Sequence, residues 1–190
     1  MRSASGTLDR DDERRLIEAI GAGDQAAFER FYMLYENRTF RFILTKLNDE
    51  AAAADILHEV MLAVWQSAGN FEGRSTLSSW VFGIAYRKIM DRYRRHSRED
   101  LVAEVPEQPD TGADQFDAVA AGDEAAILRR CMDGLSASQR AAVEMTFYED
   151  MTYREIADAL GCPEGTVKTR LFHAKHALKD CLDSKMGGRT

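Results

Sequence analysis

Residues 152–167, TYREIADALGCPEGTV, read as a helix, a tight turn and a second helix. Ile156, Ala157 and Leu160 fall on one face of the short first helix, and Ala157 is small enough for another helix to cross closely. Gly161 can take the left-handed conformation that ends a helix, and Pro163 sits where the next begins, because a first-turn residue needs no hydrogen-bonded N–H. Val167, Leu171, Ala174 and Leu178 then continue as a buried stripe. Left outside are Lys168, Thr169, Phe172, His173, Lys175, His176 and Lys179, a basic and polar surface suited to phosphates and base edges. A helical hairpin of this kind can also be purely structural.

Working outward, helices are predicted nearly everywhere: the 190 residues include only three prolines, and no strand alternation stands out. The expected helices cover about 10–22, 24–47, 49–68, 76–96, 123–133, 138–149, 152–160 and 163–184, with Asp24 as an N-cap. Leu16, Ile17 and Ile20 share a stripe on the first. Phe28, Phe31, Leu34 and Tyr35 share a face on the second, and Ile56, Val60, Ala63 and Val64 lie at helical spacing on the third. The expected fold is all-α: a domain over 10–96, a linker over 97–122 that holds Pro106 and Pro109, and a second domain over 123–184.

A net charge of -7 argues against a nucleic-acid partner only until it is divided by segment. Residues 74–98 carry seven basic side chains against the single acid Asp91, whereas 99–124 carry nine acids and no base. Such blocks are interaction surfaces or solvated faces. The basic block belongs to a second constellation, NFEGRSTLSSWVFGIAYRK at 70–88 followed by DRYRR at 91–95. Aromatics interleaved with arginines suit single-stranded nucleic acid, since rings stack on bases while guanidinium groups follow phosphates. Trp80 and Phe82 are read as core, and the arginines as functional.

Taken together these motifs resemble the extracytoplasmic-function (ECF) sigma factors, group IV of the sigma-70 family of RNA polymerase subunits. DILHEVMLAVW at 55–65 looks like the family's polymerase-binding helix, Phe71 through Arg95 like its -10 recognition and melting region, and LSASQR at 135–140 with the helix-turn-helix like its -35 reading domain. The resemblance implies that 10–96 is sigma region 2 and 123–184 is sigma region 4. It implies polymerase contacts from Asp55, His58, Glu59 and Trp65. For the -10 element it implies Phe71, Arg74, Ser75, Thr76, Leu77, Arg87, Lys88, Arg92, Arg94 and Arg95. For the -35 element it implies Arg154, Thr166, Lys168, Thr169, Arg170, Phe172, His173, Lys175, His176 and Lys179. The implied partners are core RNA polymerase, through the β′ clamp helices and the β subunit, promoter DNA and an anti-sigma factor. The implied role is transcription initiation in a stress or envelope response, with the acidic linker either threading toward the RNA exit path or serving as a solvated spacer.

Several positions depart from the family. Acids are common at the positions of Ala52 and Ala54 and a glutamine at His58, so Asp55 and Glu59 carry more of the polymerase contact here. Arg87 replaces a frequent asparagine. His173 stands where an arginine is common, and an imidazole cannot offer the guanidinium fork to guanine, so an altered -35 preference is expected.

Competing classes find little support. There is no Gly-rich phosphate loop, no His-Glu-x-x-His pattern and no nucleophile elbow, so no enzyme, cofactor or metal site is expected. His173 and His176 are read as part of the DNA-facing stripe. A helix-turn-helix regulator that is not a polymerase subunit is the alternative, but residues 10–96 lack the strand periodicity and acid cluster of a receiver. No apolar run approaches the roughly 18 residues of a membrane span, and the N-terminal MRSASGTLDRDDERR is charged where a secretory signal would be apolar, which points to the cytoplasm without membrane insertion. Cys131, Cys162 and Cys181 are expected to be reduced structural thiols.

Overall fold

The computed structural model describes residues 9–100 and 123–186, which form two compact all-helical units. The expected linker, apart from its first four residues, lies outside the described residues.

The first unit is built from α1 (Arg10–Gly21), α2 (Gln25–Leu47), α3 (Glu50–Ser67), a 3-10 turn (Ala68–Asn70) and α4 (Leu77–Asp100). Each of the first three helices opens on an aspartate whose carboxylate accepts backbone N–H groups: Asp9 from Asp12, Asp24 from Ala26 and Ala27, Asp49 from Ala52. Asn48, at φ 50°, closes α2 in the left-handed conformation that asparagine tolerates. The α4 start is capped twice over, by the Thr76 hydroxyl, which accepts from Ser79 N–H at 3.2 Å, and by Glu13 of α1, which accepts from Leu77 N–H at 3.3 Å. The core is aromatic and β-branched. Phe31 stacks on Tyr35 at 4.7 Å, Phe42 meets Phe82 edge-on at 5.0 Å, and Ile17, Ile20, Ile56, Val60, Val64 and Ile89 are buried around them. Gly21 lets α1 run against the 3-10 turn: a Cβ there would stand 2.8 Å from the Gly69 Cα. Helix α4 runs to Asp100, past the expected end at 96, because Arg92, Arg94, Arg95, Arg98 and Glu99 favour helix and no glycine or proline interrupts 92–100.

The second unit holds α5 (Asp123–Asp133), α6 (Ala137–Phe147), α7 (Tyr153–Leu160) and α8 (Glu164–Met186). Two capping boxes start its central helices, Ser136 with Gln139 and Thr152 with Glu155. Gly161 takes φ 62° and ends α7 as expected. Pro163 is one place earlier than expected: it precedes α8, and its carbonyl accepts from Thr166 and Val167. Leu135, Val143 and Ala174 form a core to which Met132, Leu171 and Leu178 add, and Met145, Ile156 and Val167 are buried nearby.

The cysteine expectation is corrected. Cys131 of α5 and Cys181 of α8 form a disulfide, with Cα atoms 5.7 Å apart, and only Cys162 remains a free thiol. Spacing along the chain argued against a framework, but packing of α5 on α8 brings together two positions 50 residues apart.

Candidate nucleic-acid interface

The first unit places the expected residues on α3, α4 and the segment between them. On α3, Asp55 and His58 are exposed, one helical turn separates Asp55 from Glu59, and Trp65 is half-buried with its ring edge-on to Phe28 at 5.1 Å. Glu59 is already engaged: its carboxylate accepts from Lys88 Nζ of α4 at 2.9 Å. A side chain expected to meet the polymerase and one expected to meet DNA are therefore joined. Two exposed apolar side chains, Met33 of α2 and Leu62 of α3, were not singled out by sequence reasoning; Met33 is 79% exposed. The signal for Met33 was its place off the aromatic stripe of α2.

Among the basic residues, Arg87 and Arg95 are exposed and Arg92 is half-buried. Arg94 pairs with Asp91, and Arg74 with Glu72. Phe71 packs against Trp80, ring centroids 5.0 Å apart, so both rings are partly committed to each other. Phe82 is in the core, as expected, and Trp80 is half-buried. Leu77 is corrected from an expected DNA-facing position: it is 1% exposed and belongs to the core, because it is the first residue of α4 on the helix's inward stripe with Val81 and Ile84. Ser75 and Thr76 are half-buried, with Thr76 spent on capping.

In the second unit, α8 turns Val167 and Ala174 inward, both 0% exposed, and presents Lys168, Thr169, Phe172, His173, Lys175, His176 and Lys179 to solvent. Phe172 is 60% exposed and lies edge-on to His176 at 4.5 Å and to His173 at 5.6 Å, so the three rings form one outward cluster. Glu164 accepts from Lys168 Nζ at 2.8 Å; that hydrogen bond, then the charge itself, holds the ammonium above lysine's ordinary pKa. Thr169 donates its hydroxyl to Gly165 O at 3.0 Å. Thr166 and Arg170 are half-buried, and Arg154 is exposed on α7.

Sequence reasoning missed the other side of this surface. A groove of about 330 Å³ runs between the start of α6 and α8, lined by Ser136, Ser138, Gln139, Gly165, Thr166, Thr169, Arg170 and His173. The capping-box spelling Ser136-x-x-Gln139 is a local signal for the start of α6, which was expected one residue later, at 138, and it does not tell that α8 passes alongside. Phe147, Tyr148 and Tyr153 form further exposed aromatic surface around the α6–α7 connection.

Residues 31–99 match the family described as Sigma-70 region 2, and residues 125–178 match Sigma-70, region 4. The chain is 30% identical over 182 residues to the ECF RNA polymerase sigma factor SigK of Mycobacterium ulcerans, covering 92% of this chain and 95% of that one. It is 26% identical over 185 residues to the RNA polymerase sigma-H factor of Pseudomonas aeruginosa, covering 92% and 96%. Among solved structures, CnrH in complex with the cytosolic domain of CnrY shares the fold at TM-score 0.67 and 21% identity, over 90% of this chain and 97% of that one. The sigma factor RpoE in complex with the anti-sigma factor NepR, from Bartonella quintana, does so at TM-score 0.67 and 23% identity, over 82% and 96%.

Proposed function

The chain belongs to the ECF RNA polymerase sigma factors, and from that premise we propose a division of labour between its units. Residues 10–96 dock on core RNA polymerase through the outer face of α3, where Asp55 and Glu59 meet basic groups of the β′ clamp helices and His58 and Trp65 border them. The same unit captures the non-template -10 strand with Phe71, Arg74, Ser75 and the basic run Arg87, Lys88, Arg92, Arg94 and Arg95. Residues 123–184 contact the β subunit and read the -35 duplex, with α8 in the major groove and Arg154 of α7 on the backbone. The acidic residues 97–122 connect the two. The work is binding, in the cytoplasm, and no covalent chemistry is assigned to the chain.

The observation that carries this reading is the exposed face of α8, which combines three lysines with a histidine and aromatic cluster opposite an inward stripe in which Val167 and Ala174 are fully buried and Leu171 and Leu178 partly so. Lysines supply sequence-independent affinity through counterion release, and Phe172 and His176 of the ring cluster can touch base edges. Control by an anti-sigma factor is proposed by likeness to the RpoE–NepR complex, and a stress or envelope response by the family resemblance of the sequence. A helix-turn-helix regulator outside the polymerase is not favoured, because it leaves the match of residues 31–99 to sigma region 2 without a role.

The test is run-off transcription with reconstituted polymerase on genomic fragments, followed by mapping of start sites. Stoichiometric binding to core enzyme and new start sites at a shared pair of elements are expected; absence of both overturns the reading.

A further inference from the structure

A recognition helix in a major groove has a sugar-phosphate backbone on each flank. At about 100° per residue, Phe172 and His176 lie near the middle of the outward face of α8, while Lys168, Lys175 and Lys179 line one flank. The opposite flank carries Arg170 and His173, and it borders the groove against the start of α6.

That groove is chemically one-sided. Its lining side chains are hydroxyls, an amide, a guanidinium and an imidazole, with no carboxylate among them. Gln139 has its side-chain oxygen committed to the Ser136 N–H at 3.0 Å, which leaves its NH2 group as a donor. Ser136 and Ser138 share one hydrogen bond at 3.3 Å, so one of the two hydroxyl protons is spare. The neighbouring cations are neutralised: Lys168 by Glu164 and Arg140 by Asp133. Arg170 is not. Its contact is the Cys162 sulfur, 3.4 Å from Nη1, and no carboxylate pairs with it among the described residues. A half-buried guanidinium held by a thiol, beside an imidazole and a row of donors, is complementary to an anion of tetrahedral oxygens.

Resting on the promoter-binding reading above, the geometry points to this groove as the seat of one backbone phosphodiester of the -35 duplex, clamped between Arg170 and His173 on α8 and the Ser136–Gln139 turn on α6. His173 is then a backbone-positioning residue rather than a base reader, and base discrimination falls to Phe172 and His176. Its difference from the arginine common in the family tunes affinity and register, not the preferred base.

The test uses holoenzyme reconstituted from core polymerase and the full chain, with promoter DNA carrying a single uncharged methylphosphonate at successive -35 positions. One position should weaken wild-type binding on the order of tenfold, the scale of a hydrogen bond to a charged group. His173→Ala and Arg170→Gln should each weaken binding to unmodified DNA, yet lose little more on DNA neutral at that position, and Arg170→Gln, which removes a charge, should also lower the salt slope by about 1. Ser138→Asp, which places a carboxylate in the groove without altering α8, should reproduce the loss if an Arg170 variant fails to fold. In a randomised -35 library, His173→Arg should select the wild-type sequence. A changed preferred base, or losses equal at every methylphosphonate position, overturns the assignment. Tight binding of inorganic phosphate alone, with no sensitive DNA position, assigns the groove to a free anion and likewise overturns it. Failure of the wild-type holoenzyme to bind promoter DNA at all is seen before any variant is made, and removes the parent reading with it.

Discussion

The two units are stabilised in different ways. The first buries stacked and edge-on aromatics under four helices, and several of its charged groups answer one another: Lys88 with Glu59, Arg94 with Asp91, Arg74 with Glu72. The second has a core built on small and medium side chains, adds a covalent staple, and leaves Lys175, Lys179 and Arg170 without a carboxylate partner among the described residues. Small cores need such supports because surface grows relative to buried volume as a domain shrinks. Each unit is therefore vulnerable at a different point: packing in one, the cross-link in the other.

The largest expected effect lies in the second unit. Cys131→Ser with Cys181→Ser, or full reduction, should destabilise it by about 2–4 kcal/mol, the usual range for a cross-link, since the bridge closes a 50-residue separation. Hydrogen exchange should show amides of α5 and α8 losing protection while those of α2 and α3 keep theirs. Equal loss in both units would show that the bridge does not stabilise the second unit in particular.

In the first unit the matching weak point is a close approach of backbones. Gly21→Ala would set its Cβ 2.8 Å from the Gly69 Cα and 2.9 Å from the Gly69 nitrogen, both backbone atoms that cannot rotate away. Overpacking of this kind costs about 1–3 kcal/mol, and the helix-propensity gain of alanine, at most about 1 kcal/mol, is small at the last residue of α1. Urea denaturation should show a lowered midpoint for the first unit. An unchanged midpoint would mean that α1 slides freely against the 3-10 turn.

Much of this architecture was legible from local chemistry. Asp24 and Gly161 each fix a helix end through a hydrogen bond or a backbone angle set within four residues, so the sequence alone located them; the Ser136–Gln139 and Thr152–Glu155 boxes are equally local signals that went unread, and the helices they open were expected at 138 and 152. What could not be read required two distant segments to meet. The Cys131–Cys181 bridge depends on α5 lying against α8, the Glu59–Lys88 pair on α3 against α4, and the Arg170–His173 groove on α6 passing beside α8. Leu77 was misplaced for a related reason: it stands at a loop-to-helix boundary, where the helical stripe that buries it has just begun. Periodicity is weakest at such ends.

A third, smaller effect probes the paired charges of the first unit. Asp55→Ala with Glu59→Ala should reduce affinity for core polymerase about tenfold, as expected for lost hydrogen bonds between charged groups. Folding should change little, because Lys88 and Glu59 are 33% and 40% exposed and a pair so solvated contributes no more than about 1 kcal/mol. Titration of labelled protein with core enzyme, beside circular dichroism, separates the two. Intact core binding with normal dichroism would remove α3 from the docking face.

The smallest effect concerns the one basic side chain on the outward face of α8 that is answered. Glu164→Gln removes the acceptor that holds Lys168 above lysine's ordinary pKa, so the folded pKa falls back toward the value of a free lysine. The sign of the linkage follows: a raised lysine pKa contributes stability below the unfolded value and loses it as pH rises through the folded one, far into the alkaline range. At neutral pH the ammonium is charged with or without Glu164, and both side chains are largely exposed, so folding stability should be essentially unchanged. DNA binding should respond more than stability does. If Lys168 contacts phosphate as proposed, deleting the carboxylate beside it removes a repulsion and frees the ammonium, so affinity for all duplexes should rise slightly and equally, with a steeper salt dependence. A gain confined to one -35 sequence would instead place Lys168 on a base edge, and would make this flank of α8 a reader rather than an anchor.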